Sequence, residues 1–322
     1  MHMPDALITP AVAVPAIAIA GGAVAWSCRR ASSKADDRAV PLMGVIGAFV
    51  FAAQMINIPV VVLPGVSWHV LGAVLMAVLL GPHAALVLMA AILTVQALLL
   101  GDGGLLALGC NVVNMGVICC YLGYGVFSAA ASLIDGPRGR AAGIVLACVV
   151  SSTAAAVAAA VEVHLSGTNP VTLWTAALAM GSVHFVFGIG EALMTVAAVA
   201  FIERVRPAVL PVHTQAEKAA VRRFALGSLA LSLAIGGVVS FWASSLPDGL
   251  EHVMDKFGWP EAGGAFGGLL APIGRAAESA PFIGNAIVGL AATAAAFGIV
   301  LAAGAAISRR PKLGRPGQPL DV

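Results

Sequence analysis

An all-α integral membrane fold is what this chain predicts, from its composition, the spacing of its apolar runs and the distribution of its basic residues. Of its 322 residues, 60% are hydrophobic and only 10% are charged, where a soluble domain carries roughly 25% charged. Mean hydropathy is +0.98. That leaves too few charges to cover a water-facing surface, so membrane lipid is the expected surrounding. A net charge of +2 decides nothing about nucleic acid, but no basic run is interleaved with aromatics, and no nucleic-acid partner is expected. The five cysteines (Cys28, Cys110, Cys119, Cys120, Cys148) form no C-x-x-C pair and read as small buried hydrophobes.

A crossing helix needs about 20 mostly apolar residues, at 1.5 Å rise each, to traverse a core about 30 Å thick. Nine runs meet this, near 7–28, 40–58, 66–81, 82–100, 110–133, 141–161, 172–201, 222–245 and 284–307, the third being short and parted from the fourth by Gly81-Pro82. Basic residues concentrate on the cytoplasmic side, because moving them across a bilayer is costly. With the N-terminus outside, the inward segments hold Arg29, Arg30, Lys34, Arg38, Arg138, Arg140, Arg204, Arg206, Lys218, Arg222, Arg223, Arg309, Arg310, Lys312 and Arg315, leaving only Lys256 and Arg275 outside. Nine spans, N-terminus out and C-terminus cytoplasmic, follow from that asymmetry. The polar, two-proline stretch 204–223 reads as a cytoplasmic linker. It separates a seven-span module, 1–203, from a two-span accessory module, 224–322.

The N-terminus, MHMPDALITP, has no Lys or Arg. A signal peptide opens on a basic region, so this end is expected to stay uncleaved, with Met1 kept before the bulky His2. A free amine, the amide nitrogen of residue 2 and the Nδ1 of its imidazole close fused five- and six-membered chelate rings. Three nitrogens in a plane suit nickel(II) or copper(II), and another histidine would complete the square. His83 and His213 fall on the cytoplasmic side. His69, His164, His184 and His252 are outward or within reach, and spacing does not choose among them.

Resemblance does choose. The stretches MHMPDAL, FVFAAQMINIPV, SWHVLG, LLGP, QALLLGDGG, LGCNVVNMG and GEALMT resemble the substrate-capture component of energy-coupling-factor cobalt/nickel transporters, the CbiM/NikM family, from residue 1 to about 200. The resemblance implies a metal bound by Met1, His2 and His69, with Ni(II) or Co(II) as the transported substrate and no organic cofactor. It also implies a transmembrane coupling protein and separate ATP-binding cassette ATPases as partners, in a prokaryotic cell membrane. The chain departs at Trp68, where the family usually has glycine, and an indole there is expected either to narrow the entrance or to change the metal preference. Gln54, Asn57, Ser67, Asn111 and Asn114 lie in the matching stretches. They are read either as holding the imidazoles in the right tautomer or as bonding helix to helix. His184 and Glu191, seven apart on one helix, are candidates for a pathway.

The stretch 244–252, SSLPDGLEH, resembles the PDGLE motif (Pro247, Asp248, Gly249, Leu250, Glu251) of a short NikN-like accessory domain. Asp248 and Glu251 have capping-box spacing, and Leu250, Val253, Met254 and Phe257 set an apolar face, so a short amphipathic helix on the outer surface is expected. Asp248, Glu251, His252 and Asp255 are read as a solvated polar face rather than a metal cluster. No G-x-x-x-x-G-K-[ST] loop occurs, so ATP hydrolysis is not expected of this chain. A stand-alone permease would need paired carboxylates in the bilayer, and Glu191 stands alone deep in a span. A membrane metalloenzyme would need a general base that no motif supplies, and a metal sensor or adaptor is a further alternative.

Overall fold

A computed structural model describes residues 2–32, 39–205, 226–227, 229–237, 244–260, 268–272 and 281–308. Met1, the 204–223 linker beyond residue 205, Arg275 and the basic C-terminal stretch lie outside the described residues. The chain is helical nearly throughout: α1 (Pro10–Ser32), α2 (Ala39–Gln54), α3 (Ala73–Leu80), α4 (Pro82–Leu100), α5 (Leu108–Ala131), α6 (Gly136–Leu165), α7 (Leu173–Val205), α8 (Gly249–Phe257) and α9 (Pro281–Ser308). Among the described residues one hairpin interrupts the pattern. Its strands β1 (Ile58–Pro59) and β2 (Ser67–Trp68) pair antiparallel, Ile58 opposite Trp68 and Pro59 opposite Ser67.

Five of these helices, α1, α4, α5, α6 and α7, are long and apolar enough to cross a membrane, and two shorter apolar stretches, Leu42–Gln54 and Ala286–Ala302, accompany them. Their outward faces stay apolar. Trp174, Leu178, Phe185, Ile189 and Leu193 are all exposed on α7, a stripe that would be costly in water and is ordinary against lipid tails. The third run is corrected by the structure. It is not a span over 66–81, because residues 66–72 are strand and loop, and α3 has only eight residues, about 12 Å of helix. Irregular backbone at membrane depth is tolerated where protein surrounds it. That loop carries His69.

Small residues set the packing. Along the α6–α7 contact Ala155, Ala156, Ala159 and Ala160 are fully buried, and a Cβ on Gly188 would stand 2.7 Å from the Val149 Cα. In lipid there is no water to squeeze out between helices, so close backbone approach and dispersion hold them together. The α9 helix lies against α2, where Gly44 and Gly47 leave room for Leu301 and Val300. Within α4 and α5 the backbone widens to π turns over Gln96–Leu100 and Val112–Leu122. Such turns re-aim the side chains they carry, often at functional sites.

Gly188→Ala is expected to lower stability by about 1–3 kcal/mol, since the added methyl meets backbone rather than a movable side chain. Gly125, with nothing within 4 Å of its would-be Cβ, should accept alanine with no loss. Thermal unfolding in detergent compares the two.

Candidate metal centre

The first described residues are folded into the protein by hydrogen bonds to their backbone. Asn111 accepts from the Met3 N–H with Oδ1 at 2.8 Å and donates from Nδ2 to the Met3 carbonyl at 3.1 Å. That carbonyl also accepts from the Gly104 N–H at 2.9 Å. Asp5 accepts from the Ala107 N–H at 3.0 Å, and the Met3 side chain is fully buried. The Gly101-Asp102-Gly103-Gly104 loop runs directly against this segment. Gly103 has φ +80°, and a side chain on Gly104 would overlap Asp5. Glycine is required there by close approach as well as by conformation.

His2 sits in this clamp with its side chain 6% exposed. Its Nε2 is 3.2 Å from Gln96 Oε1, Gln96 Nε2 donates to Gln54 Oε1 at 2.8 Å, and Gln54 Nε2 donates to the Leu71 carbonyl at 2.7 Å. The far end of this relay settles the near end. A carbonyl only accepts, so Gln54 must present its amide hydrogens to Leu71 and its oxygen to Gln96. Gln96 then turns its own oxygen to His2, which donates from Nε2. The proton is thereby held on Nε2 and the Nδ1 lone pair is left for a metal. That Nδ1 faces Asp102 Oδ1 across 3.3 Å. Two lone pairs at that separation repel unless a proton or a cation lies between them.

His69 comes from the loop after β2, and its ring stacks on that of His2, centroids 5.4 Å apart and planes 19° from parallel. Burial pushes the His2 imidazole down to about 3 and that of His69 to about 4, because a low-dielectric site disfavours the charged ring. Both are neutral at physiological pH, the state a metal needs. The loop is held from two sides. Below it, Glu191 of α7 accepts from the Leu71 and Gly72 N–H groups at 2.8 and 2.7 Å. This carboxylate answers the orphan donors at the start of α3. Above it, Ser67 donates from its backbone to the Pro247 carbonyl at 2.8 Å and from its hydroxyl to the Leu246 carbonyl at 2.6 Å.

The PDGLE stretch therefore belongs to the site. Asp248 and Glu251 form the capping box of α8, with Leu250, Val253 and Met254 buried. Yet Asp248 is not on a solvated face, as expected from its spacing. Its side chain is 14% exposed and its Oδ2 lies 4.0 Å from His69 Nε2. The polar face divides, since Glu251 and Asp255 are exposed. Further stitches surround the pocket. Ser244 N–H donates to the Asn57 carbonyl, and Leu269 and Leu270 donate to the Leu98 and Leu99 carbonyls, which have no partners inside α4 because the helix ends there. The pocket, about 230 Å³ and open to the outside at Asp102, is lined by His2, Gln54, Asn57, His69, Asp102 and Asp248 among others.

Of the expected residues, His2, His69, Gln54, Asn57, Ser67 and Asn111 are brought together here, while Met1 lies outside the described residues. Asn114 is elsewhere, donating to Glu162 at 2.6 Å. Glu162 falls in the last turn of α6, which runs four residues past the expected end, whereas Glu191 is buried within α7. His164 is exposed on the last turn of α6. His184 is buried on α7, and its Nδ1 is 2.9 Å from the Met180 carbonyl. Gln96 and Asp102 were missed by sequence reasoning, although both stand in QALLLGDGG. A glutamine at the end of an apolar run was the available signal.

The family described as the CbiM cobalt uptake substrate-specific transmembrane region matches residues 2–209. The chain is similar to the putative fused nickel transport protein NikMN of Archaeoglobus fulgidus, 31% identical over 311 residues, covering 96% of this chain and 98% of the relative. The fused nickel transport protein NikMN of Rhodobacter capsulatus is 30% identical, over 85% of this chain and 83% of its own. Cobalt transport protein CbiM of Sorangium cellulosum is 36% identical over 61% of this chain and 87% of its own. A solved structure of a truncated transition metal transporter superposes with a TM-score of 0.56 at 33% identity, covering 63% of this chain and 99% of that one.

Gln96→Leu cuts the relay and Asn111→Ala releases the Met3 peptide. Each is expected to weaken Ni(II) or Co(II) binding by about 10- to 100-fold, the usual cost of losing a group that orients a ligand. Calorimetric titration of folded protein measures this.

Proposed function

Because the chain belongs to the CbiM family of cobalt and nickel uptake proteins, with a NikN-like part fused behind it, we propose that it captures Ni(II) or Co(II) at high affinity from outside the cell and passes it inward. The observation that carries this reading is the His2–His69 ring pair, both rings neutral, with His2 Nδ1 left unprotonated by the glutamine relay. The ligands would be the Met1 amine, the His2 amide nitrogen, the His2 Nδ1 and His69. Four nitrogens in a plane suit Ni(II) and serve Co(II). The amine and the amide must each lose a proton as the metal enters. Asp102 and Asp248, beside the two rings, lower the cost of bringing a dication into a buried cavity.

Transport would follow the energy-coupling-factor scheme. The chain has no phosphate-binding loop of its own, so ATP would be used by separate cassette ATPases acting through a transmembrane coupling protein. The chain would cross the prokaryotic cell membrane nine times, N-terminus out and C-terminus in. Seven crossings fall to the capture module, 1–203, one of them resting on the short helix α3. The linker, 204–223, would be cytoplasmic, and 224–322 would be the accessory module. The contacts of Ser67 with residues 246–247 and of Asp248 with His69 support a role for that module in closing the pocket over the metal.

Titration of purified protein with Ni(II) and Co(II), followed by calorimetry and visible absorbance, tests the ligand set. Tight one-to-one binding is expected when the Met1 amine is free and none with a Gly-Ser extension or with His2→Ala; tight binding in either altered protein would overturn the assignment. Ser67→Ala combined with Asp248→Asn should leave the stoichiometry at one. It should speed metal release to a chelator by about tenfold, the equivalent of roughly 1.4 kcal/mol of lost closure.

A further inference from the structure

Beneath the metal pocket lies a second, smaller cavity of about 30 Å³, bounded by Trp68, His69, Leu71, Ser152, His184, Phe187 and Asp248. Two residues, His69 and Asp248, line both cavities. They form the partition between an outer chamber that holds His2 and an inner one that holds His184. The inner chamber is enough for about one or two waters or a desolvated ion.

His184 is oriented for a ligand it does not have. Its ring is buried, 3% exposed. Nδ1 is 2.9 Å from the Met180 carbonyl, and because a carbonyl only accepts, the proton belongs on Nδ1 and the lone pair on Nε2. That Nε2 is buried and has no hydrogen-bond partner among the described residues. Phe187 stands edge-on at 5.2 Å between ring centroids and gives it nothing polar. Leaving a buried acceptor unpaired forfeits its hydration with nothing in return, a cost that an apolar side chain at 184 would avoid. Its helix neighbour Glu191 is different in kind, both carboxylate oxygens being occupied by the Leu71 and Gly72 N–H groups. Glu191 is a strut, and His184 is an open donor.

We propose that the inner chamber is a second station for the divalent metal, with His184 Nε2 as its own ligand and His69 and Asp248 shared with the outer site. This rests on the reading of the outer chamber as the capture site. Two imidazoles and a carboxylate suit Co(II), Ni(II) and Zn(II) without imposing a plane. Donor atoms on a tetrahedral ion with bonds near 2.0–2.1 Å stand about 3.4 Å apart. The 4.0 Å between His69 Nε2 and Asp248 Oδ2 therefore has only a short way to close. Among the described residues no three His, Cys, Asp or Glu side chains already stand as a bonding cluster; the inner station, whose donors must close on the ion and which has no fused chelate rings, binds more weakly than the outer one. That order suits an ion moving from capture towards release, handed on by His69, which faces both chambers.

The test is titration of the full chain with Co(II), read by visible absorbance and by X-ray absorption. In His2→Ala the tight equivalent is lost, and one weaker equivalent, with a dissociation constant larger than the original by about tenfold or more, remains and shows two imidazole ligands. In His2→Ala/His184→Ala that equivalent disappears. His184→Ala and the chamber-filling His184→Phe, each with His2 intact, keep the tight equivalent within about threefold, which also demonstrates that they fold. In the His2→Ala background, a weaker equivalent that survives loss of His184 overturns the proposal. So does His2→Ala binding no Co(II) up to millimolar concentration, which would leave a resident water as the partner of Nε2. Tight binding that persists in His2→Ala would instead sink the capture-site assignment and leave the inner station to be judged on the His184 variants.

Discussion

Chain ends fray unless something ties them down, and a metal site that uses His2 needs the opposite of fraying. The Asn111 side chain supplies the tie by bonding both the N–H and the carbonyl of Met3. A side-chain amide here does what a neighbouring strand does in a sheet, and it removes the backbone freedom that chelation would otherwise have to remove. The other features of the site depend on that placement. His2 can meet Gln96 and Asp102, and stack on His69, only because the peptide after it is held. The π turns have a local part in this, since Gln96 begins one of them and Asn111 immediately precedes the other.

From that anchor a single hydrogen-bond direction runs through the site. Leu71 can only accept, and two glutamines transmit that fact to His2 and decide which of its nitrogens carries the proton. Leu71 is itself held by Glu191, so a residue on α7 influences the protonation of the second residue of the chain through four side chains and one loop. Networks of this kind stabilise when every member is satisfied and are costly when one is not. The loop from Ser67 to Gly72 is the common element. It carries His69, anchors the glutamine relay and receives the Pro247 and Leu246 carbonyls from the accessory stretch. Irregular backbone there, in place of a continuous third span, lets one segment serve all three.

The accessory stretch changes meaning once its contacts are known. Its capping box and apolar face describe a small surface helix, and such a helix forms. What the helix does is bring the residue before it, Asp248, to the partition between two chambers. Its cap oxygens bond Leu250 and Glu251, so the fixing of the helix start also fixes the carboxylate beside His69.

Composition, apolar runs and the arginine distribution were enough to read a helical membrane protein, because the bilayer admits so few backbone solutions. His2 and His69 were legible too, one from chelate chemistry at a chain end and the other from the motif around it. Gln54, Ser67 and Asn111 were legible as polar residues in apolar company, but not what each one bonds. Gln96, Asp102 and the inward place of Asp248 were not legible. Their significance lies in contacts across 94, 100 and 179 residues of chain, and local periodicity carries no information at that range. The half-length of α3 escaped for a related reason, since an apolar run lining protein reads the same as one crossing lipid. The sequence by itself determined the class of fold and the chemistry available. Only the tertiary structure decided which nitrogen is left open and which carboxylate faces it, because hydrogen-bond direction is set by partners that are neighbours in space alone.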